Sequence, residues 1–308
     1  MILTVTLNTA LDITYRVPAL TPHSGHRVTE VRERPGGKGL NVARVLSALG
    51  HESVVTGFTG GPVGAVLRDL LAPLGPHDAL VPIAGTTRRT IAVVDDASGD
   101  TTQLNEPGPT VTAAEWTTFL SSYESLLRDA DAVALCGSLP PGIHVGAYAE
   151  LVRRARAVGV PVLLDTSGEP LRRGIAARPD VVKPNADELA QLTGSREPLR
   201  ATRDARRRGA HTVVTSLGPD GVLAATPDGV WQATPPTPLK GNPTGAGDSA
   251  VAGLLSGLVE RLPWPERLAR AVALSAATVL APAAGEFDTA AYEELLPRIA
   301  VTERAAAA

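Results

Sequence analysis

Apolar residues follow two alternating rhythms along the chain. Short, nearly continuous runs occur at Ile2–Leu7, Ser53–Phe58, Ala132–Cys136, Val160–Asp165, Asp180–Lys183 and Thr212–Ser216, as strands buried on both faces require. Between them lie helical stretches near Leu40–Leu49, Val63–Leu71, Ala113–Arg128, Val145–Val158, Asp187–Leu192, Ala201–Arg208, Ala250–Arg261 and Pro265–Leu280. In the first, Leu40, Ala43, Leu46 and Leu49 return about every 3.6 residues, and Gly50 follows where a helix-terminating glycine belongs. The alternation predicts an α/β fold with a mostly parallel sheet covered by helices on both faces.

Two segments break the rhythm. Residues 12–34 and 86–106 lean toward β structure without a helical stripe, and they are expected to add strands outside the main sheet as a small lid. No compositional seam, repeat or long linker interrupts the chain, which reads as a single domain over 1–308 with the lid inserted in it.

Composition narrows the function. A net charge of −3 gives no electrostatic reason to expect nucleic acid or an anionic membrane as partner. The longest membrane-span candidate, Val272–Ala284, is too short and carries Ser275, Thr278 and Pro282, and the first residues read as a strand rather than a leader. One cysteine, Cys136, excludes an internal disulfide and fits a reducing cytoplasm as a small buried side chain. The six histidines show no metal-ligand spacing. Of 29 basic residues only Lys38, Lys183 and Lys240 are lysines, and the first two stand in chemically suggestive strings.

Thr244-Gly245-Ala246-Gly247-Asp248-Ser249 leads into an apolar helix. Glycines at a helix start let backbone N–H groups converge on an anion, reinforced by the helix dipole. Asp248 in that first turn reads by default as a capping carboxylate, and otherwise as a base for a hydroxyl attacking a phosphoryl group. A dinucleotide fingerprint fails on context, because the proline-rich stretch before it is no buried strand, and no P-loop string occurs. Pro35-Gly36-Gly37-Lys38-Gly39-Leu40-Asn41 opens the first helix with a point charge suited to phosphate and an amide suited to a sugar hydroxyl. Asp12 follows the first strand, as a turn residue or a grip for two hydroxyls. The strings starting at Cys136, Lys183 and Ser216 also follow strands, at the sheet edge where α/β ligands bind.

Together these strings resemble the ribokinase/PfkB sugar kinases, from Met1 to about Glu286 and in the family's order. The resemblance implies a three-layer ribokinase-like α/β/α domain with a β-sheet lid, and a homodimer formed through that lid. It implies that Asp248 is the general base, with Gly245, Ala246 and Gly247 as the anion hole. It gives Asp12, Gly37 and Asn41 to the sugar hydroxyls, and Lys38, Arg27, Arg88 and Ser138 to a phosphate already on the substrate. Lys183, Asn185, Ser216, Gly218 and Gly221 would meet ATP, and Glu188 would order Mg²⁺ through water. Leu7-Asn8, Cys136-Gly137-Ser138-Leu139-Pro140 and Asn242-Pro243-Thr244 are similar to the phosphosugar branch. That implies ATP-dependent phosphorylation of tagatose 6-phosphate at O1. The alternatives are fructose 1-phosphate or fructose 6-phosphate as acceptor, and, outside enzymes, a silent sugar-phosphate sensor. Two departures stand out: Thr9 where the branch commonly has proline, and Cys136 where it has serine. The Ala/Pro-rich segment Ala281–Gly285, expected to close the adenine site, gives no assignable adenine contact.

Overall fold

A computed structural model describes residues 1–237, 239, 241–281 and 284–304. Lys240, the Ala-rich tail beyond Arg304, and Pro282 and Ala283 in the expected adenine segment lie outside the described residues. The chain opens with β1 (Ile2–Thr6), then β2 (Ala10–Val17), β3 (Glu30–Gly36) and α1 (Lys38–Ala48). β4 (Ser53–Thr59), α2 (Gly61–Leu71), β5 (His77–Asp78), β6 (Val81–Pro82), β7 (Arg88–Asp95) and β8 (Thr101–Asn105) follow. Next come α3 (Ala113–Leu126), β9 (Ala132–Cys136), α4 (Ala147–Ala157), β10 (Val162–Asp165), α5 (Gly168–Ala176) and β11 (Val181–Val182). The remainder holds α6 (Ala186–Thr193), α7 (Pro198–Arg207), β12 (Thr212–Ser216), β13 (Val222–Thr226) and β14 (Gly229–Thr234). After these stand α8 (Ala246–Val259), α9 (Trp264–Val279), α10 (Thr289–Leu295) and β15 (Ala300–Arg304).

The large sheet runs β15-β14-β13-β12-β11-β10-β9-β1-β4-β5, with β6 also on β4. From β12 to β4 every neighbouring pair is parallel, as the alternating rhythm requires. Beyond β12 it turns antiparallel through β13, β14 and β15, an extension the apolar runs did not announce. The central strands carry residues such as Leu3, Val5, Leu135, Leu163 and Val213 with essentially no exposed surface, because helices cover both faces. One core layer joins β1, β9 and β10 to α3 and α4 through Phe119, Tyr123, Tyr148 and Leu151. The other packs α1, α8 and α9 on the opposite face through Val42, Leu46, Leu255 and Leu274.

The two β-leaning segments form a separate four-stranded sheet, β3-β2-β7-β8, rather than strands added to the main one. Three-residue and one-residue crossings, Leu7–Thr9 and Gly37, join it to β1 and α1. Gly37 has φ +113°, and a Cβ there would lie 2.7 Å from Thr6 Cγ2, so glycine is required where the chain turns from lid to helix. Gly50 holds a left-handed φ of +85° just past α1, as the sequence requires.

Candidate active site

Parallel strands deliver their C-terminal ends to one edge of a sheet, and charged groups gather there. Asp165 is the last residue of β10 and only 1% exposed. Lys38 Nζ, from the first turn of α1, stands 3.3 and 3.4 Å from its two carboxylate oxygens, and Lys183 Nζ, just past β11, stands 3.6 Å from Oδ1. Asp165 beside it holds Lys38 above the usual lysine range, while burial pulls the other way.

Asp248 sits in the first turn of α8, buried at 7% exposure. Asn41 Nδ2 donates to its Oδ2 at 2.8 Å. Loss of solvent pushes its carboxyl up to about 6, against the pull of Lys38, the Asn41 hydrogen bond and Lys183, with Asp165 adding to the rise. Gly245 caps the helix at φ +85°, and a Cβ on it would lie 2.7 Å from Ala284 Cα. Ala246 and Gly247 follow at the half-buried start of α8, and Lys183 Nζ lies 3.5 Å from where a Gly247 Cβ would stand. Backbone amides at a helix start, a lysine beside them and a buried carboxylate one residue on have the chemistry to receive a negatively charged group next to a proton acceptor.

The lid completes the walls. Asp12 on β2 faces Gly36 on β3, where any Cβ would overlap its carboxylate at 2.1 Å. Burial raises Asp12 to about 6, against the nearby Arg88 and a hydrogen bond with Thr90. Asp12 and Asn41 line a cavity of about 860 Å³ between lid and body, with Arg44, Thr90, Asn242 and Thr244. A second cleft of about 520 Å³ is lined by Gly37, Lys38, Arg88, Ser138 and Glu188. Arg88 is pinned there by the carbonyls of Asn8 at 3.3 Å and Glu106 at 3.2 Å, and Asn8 Nδ2 donates to Ser138 Oγ at 3.1 Å. Lys38, Arg88 and Ser138 therefore share one cleft. Arg27, assigned with them by resemblance, instead lies exposed in the loop between β2 and β3 and lines neither space.

On the other side of Lys183, Asn185 and Glu188 cap α6 reciprocally. The Glu188 amide donates to Asn185 Oδ1 at 2.8 Å, and the Asn185 amide donates to Glu188 Oε2 at 2.9 Å. Asn185 also bridges Ser216 at the end of β12. Gly218 and Gly221, at φ +61° and +82°, shape the turn that follows, with the Leu217 amide donating to Gly221 O at 2.8 Å. Cys136 ends β9 fully buried, and loss of solvent pushes its thiol well above the ordinary range. This fits a packing role rather than a nucleophile.

Two contributors were not singled out from sequence. Asp165 is a carboxylate closing an otherwise apolar strand, a signal present in Val162-Leu163-Leu164-Asp165. Arg44 follows Lys38 and Asn41 at three-residue steps on one face of α1, buried at 7% exposure and held by Ala284 O at 3.1 Å and Glu286 at 3.0 Å.

Among known proteins, residues 5–290 match the pfkB family carbohydrate kinase model. The chain is 33% identical to a tagatose-6-phosphate kinase of Staphylococcus epidermidis, over 98% of this chain and all of that one. The structure of Escherichia coli phosphofructokinase-2 in complex with fructose-6-phosphate superposes with a TM-score of 0.87 at 30% identity, covering 96% of this chain and 98% of that one. A possible 1-phosphofructokinase from Thermotoga maritima superposes with a TM-score of 0.86 at 28% identity, covering 99% and 100%. The amide turn, the buried carboxylate and the lysines around Asp165 thus stand on a shared frame, and the chain belongs to the pfkB family of carbohydrate kinases, as an ATP-dependent kinase of phosphorylated sugars.

Proposed function

We propose that the chain transfers the γ-phosphoryl group of ATP to O1 of tagatose 6-phosphate, giving tagatose 1,6-bisphosphate and ADP. The observation that carries this reading is Asp248, a buried carboxylate one residue past the glycine turn, fixed by Asn41 2.8 Å away. In this reading Asp248 takes the proton of the attacking hydroxyl as its oxygen closes on phosphorus and the bond to the ADP oxygen breaks. The amides of Gly245, Ala246 and Gly247, with Lys183 beside them, receive the negative charge of the migrating group. Asp12 and Asn41 hold ring hydroxyls, and Gly37 brings the backbone close to them. Lys38, Arg88 and Ser138 hold the 6-phosphate in the cleft that they share. Asn185, Ser216, Gly218 and Gly221 take the nucleotide side.

Mg²⁺ fits this donor set in a particular way. Among the described residues no group of three or more His, Cys, Asp or Glu side chains is placed to cage a metal. Glu188, anchored through Oε2 and lining the cleft beside Lys38, suits a hydrated ion carried mainly on nucleotide phosphates. Bound there, such an ion neutralises phosphate charge.

The sugar assignment is supported by the staphylococcal relative at 33% identity. The superpositions on phosphofructokinases favour a second reading, in which a fructose phosphate is the acceptor. ADP release measured with tagatose 6-phosphate, fructose 1-phosphate, fructose 6-phosphate and the free ketoses decides between them. The highest kcat/KM is expected for tagatose 6-phosphate. A higher value for either fructose phosphate replaces the assignment, and turnover of none of them leaves the sensor reading. The assembly we propose is a homodimer through the lid, whose outer strands expose Val31 at 56% and Leu104 at 57%. A cytoplasmic setting fits the free Cys136, and no described helix is long and apolar enough to cross a membrane.

A further inference from the structure

Three parts of the active-site frame meet at one carboxylate to which the catalytic reading gives no task. Glu286, in the segment between α9 and α10, places Oε1 2.8 Å from Arg34 Nη1 on β3 and 3.0 Å from Arg44 Nη2 on α1. The other ion pairs of the lid strands stay within the lid, where Arg16 pairs with Asp96 and Glu30, and Arg32 with Glu30. Arg34 pairs across to the body instead. Neutralising the buried Arg44 accounts for only half of this arrangement, because Arg34 is drawn to the same oxygen from the lid. Arg34 Nη1 is buried and has no aligned hydrogen-bond acceptor, so charge attraction holds the lid half of the junction. A hydrogen bond from Arg44 holds the body half.

What the junction joins gives it a purpose. Asp12 and Arg34 face each other in the β2–β3 register, and both line the cavity between lid and body. Arg44 lies one turn beyond Asn41 on α1, and Asn41 donates to Asp248. The backbone just before Glu286 is wedged against both α1 and α8. A Cβ on Gly285, at φ +75°, would lie 2.8 Å from Arg44 Nη1 and 3.0 Å from Asn41 Oδ1. A Cβ on Gly245, the cap of α8, would lie 2.7 Å from Ala284 Cα. One short segment thus meets the lid, α1 beside Asn41 and the glycine turn.

We propose that Glu286 is a positioning residue: by holding Arg34 and Arg44 on one oxygen it sets the lid's Asp12 relative to Asp248, and so aligns the acceptor hydroxyl with its base. This deepens the proposed kinase reading and rests on it, since the hydroxyl is the one that Asp248 deprotonates there. An ion pair on a half-exposed carboxylate adds little to folding. Alignment is more demanding, because a displacement of about 1 Å at the reacting atoms costs roughly 10² in rate. The junction therefore matters to turnover far more than to stability.

Arg34→Gln and Glu286→Ala, made singly and together in the whole protein, test the proposal. Each single change is expected to lower kcat at least about tenfold, with KM for ATP within about twofold of the parent's. Arg34→Gln leaves Arg44 and Glu286 paired, so its melting temperature is expected to stay within about 2 °C of the parent's. It therefore decides the matter even if Glu286→Ala folds poorly. The double variant is expected to be no slower than Glu286→Ala alone, because both changes remove one contact. A kcat for Arg34→Gln within about twofold of the parent's overturns the proposal. A double variant whose loss is the product of the single losses also overturns it, because the two side chains then act apart. So does a rise in KM for ATP as large as the fall in kcat, which assigns Glu286 to the fold of the nucleotide side. The assays use whichever phosphorylated ketohexose the parent turns over fastest, so a changed acceptor replaces the sugar assignment and leaves this outcome standing. Near-normal kcat in Asp248→Asn fails the general-base reading separately.

Discussion

Asp248 can accept a proton only when ionised, and burial pushes its carboxyl up to about 6. As pH falls through 6 the base fills with protons, so kcat is expected to drop about tenfold per unit below that point, read from a pH–rate profile. Asp248→Asn is expected to lower kcat by about 10²–10⁴ while ATP affinity, measured by titration, changes little. Stability runs the other way. A carboxyl raised above its unfolded value of 3.8 holds its proton more tightly in the folded protein, so ionisation above pH 6 costs folding free energy. The same Asp248→Asn variant is therefore expected to melt higher than the parent at pH 7.5, with the gain shrinking by pH 4.5. A neighbour on the lid, Arg88, gives a different readout: Arg88→Ala is expected to raise KM for the sugar phosphate roughly tenfold or more and KM for ATP little. Equal rises for both substrates would count against a sugar-phosphate role.

Elements differ in how openly the sequence declares them. The central strands were legible because helices cover both faces, leaving uninterrupted runs such as Ala132–Cys136 and Thr212–Ser216 that the structure reproduces residue for residue. α5 stayed hidden because its nine residues include two glycines and a proline, with only Leu171 and Ile175 giving an apolar step. β13 stayed hidden because two of its five residues are alanine, a weak strand former. The glycine strings before α1 and α8 could be read as candidate anion sites, since their chemistry is local to the string. Asp165 was not, because only the strand order sets β10 between β9 and β11 and so brings Lys38 and Lys183 to one carboxylate. At this scale the α6 cap offers a clean separation of roles. Glu188→Gln keeps a side-chain acceptor for the Asn185 amide, so thermal stability is expected to stay within about 0.5 kcal/mol. The Mg²⁺ concentration giving half-maximal rate is nonetheless expected to rise several-fold, read from a magnesium titration.

For the whole molecule, the proposed reading gives the lid both chemistry and assembly. If Val31 and Leu104 meet a second copy, Val31→Lys combined with Leu104→Lys is expected to shift the species seen by sedimentation from dimer toward monomer, with far-ultraviolet dichroism unchanged. A parent that sediments as a monomer at all micromolar concentrations would remove the lid from the assembly.

The side chains proposed to meet the acceptor are divided between lid and body: Asp12 and Arg88 ride on the small sheet, while Lys38 and Asn41 stand on α1 and Asp248 on α8, helices packed against the large one. An acceptor must be long enough to touch both halves at once, with hydroxyls for one and a phosphate for the other. Water is not, so it gains nothing from drawing the halves together. In the proposed reading the division works as a ruler that protects the nucleotide from wasteful hydrolysis until a molecule of the right length arrives.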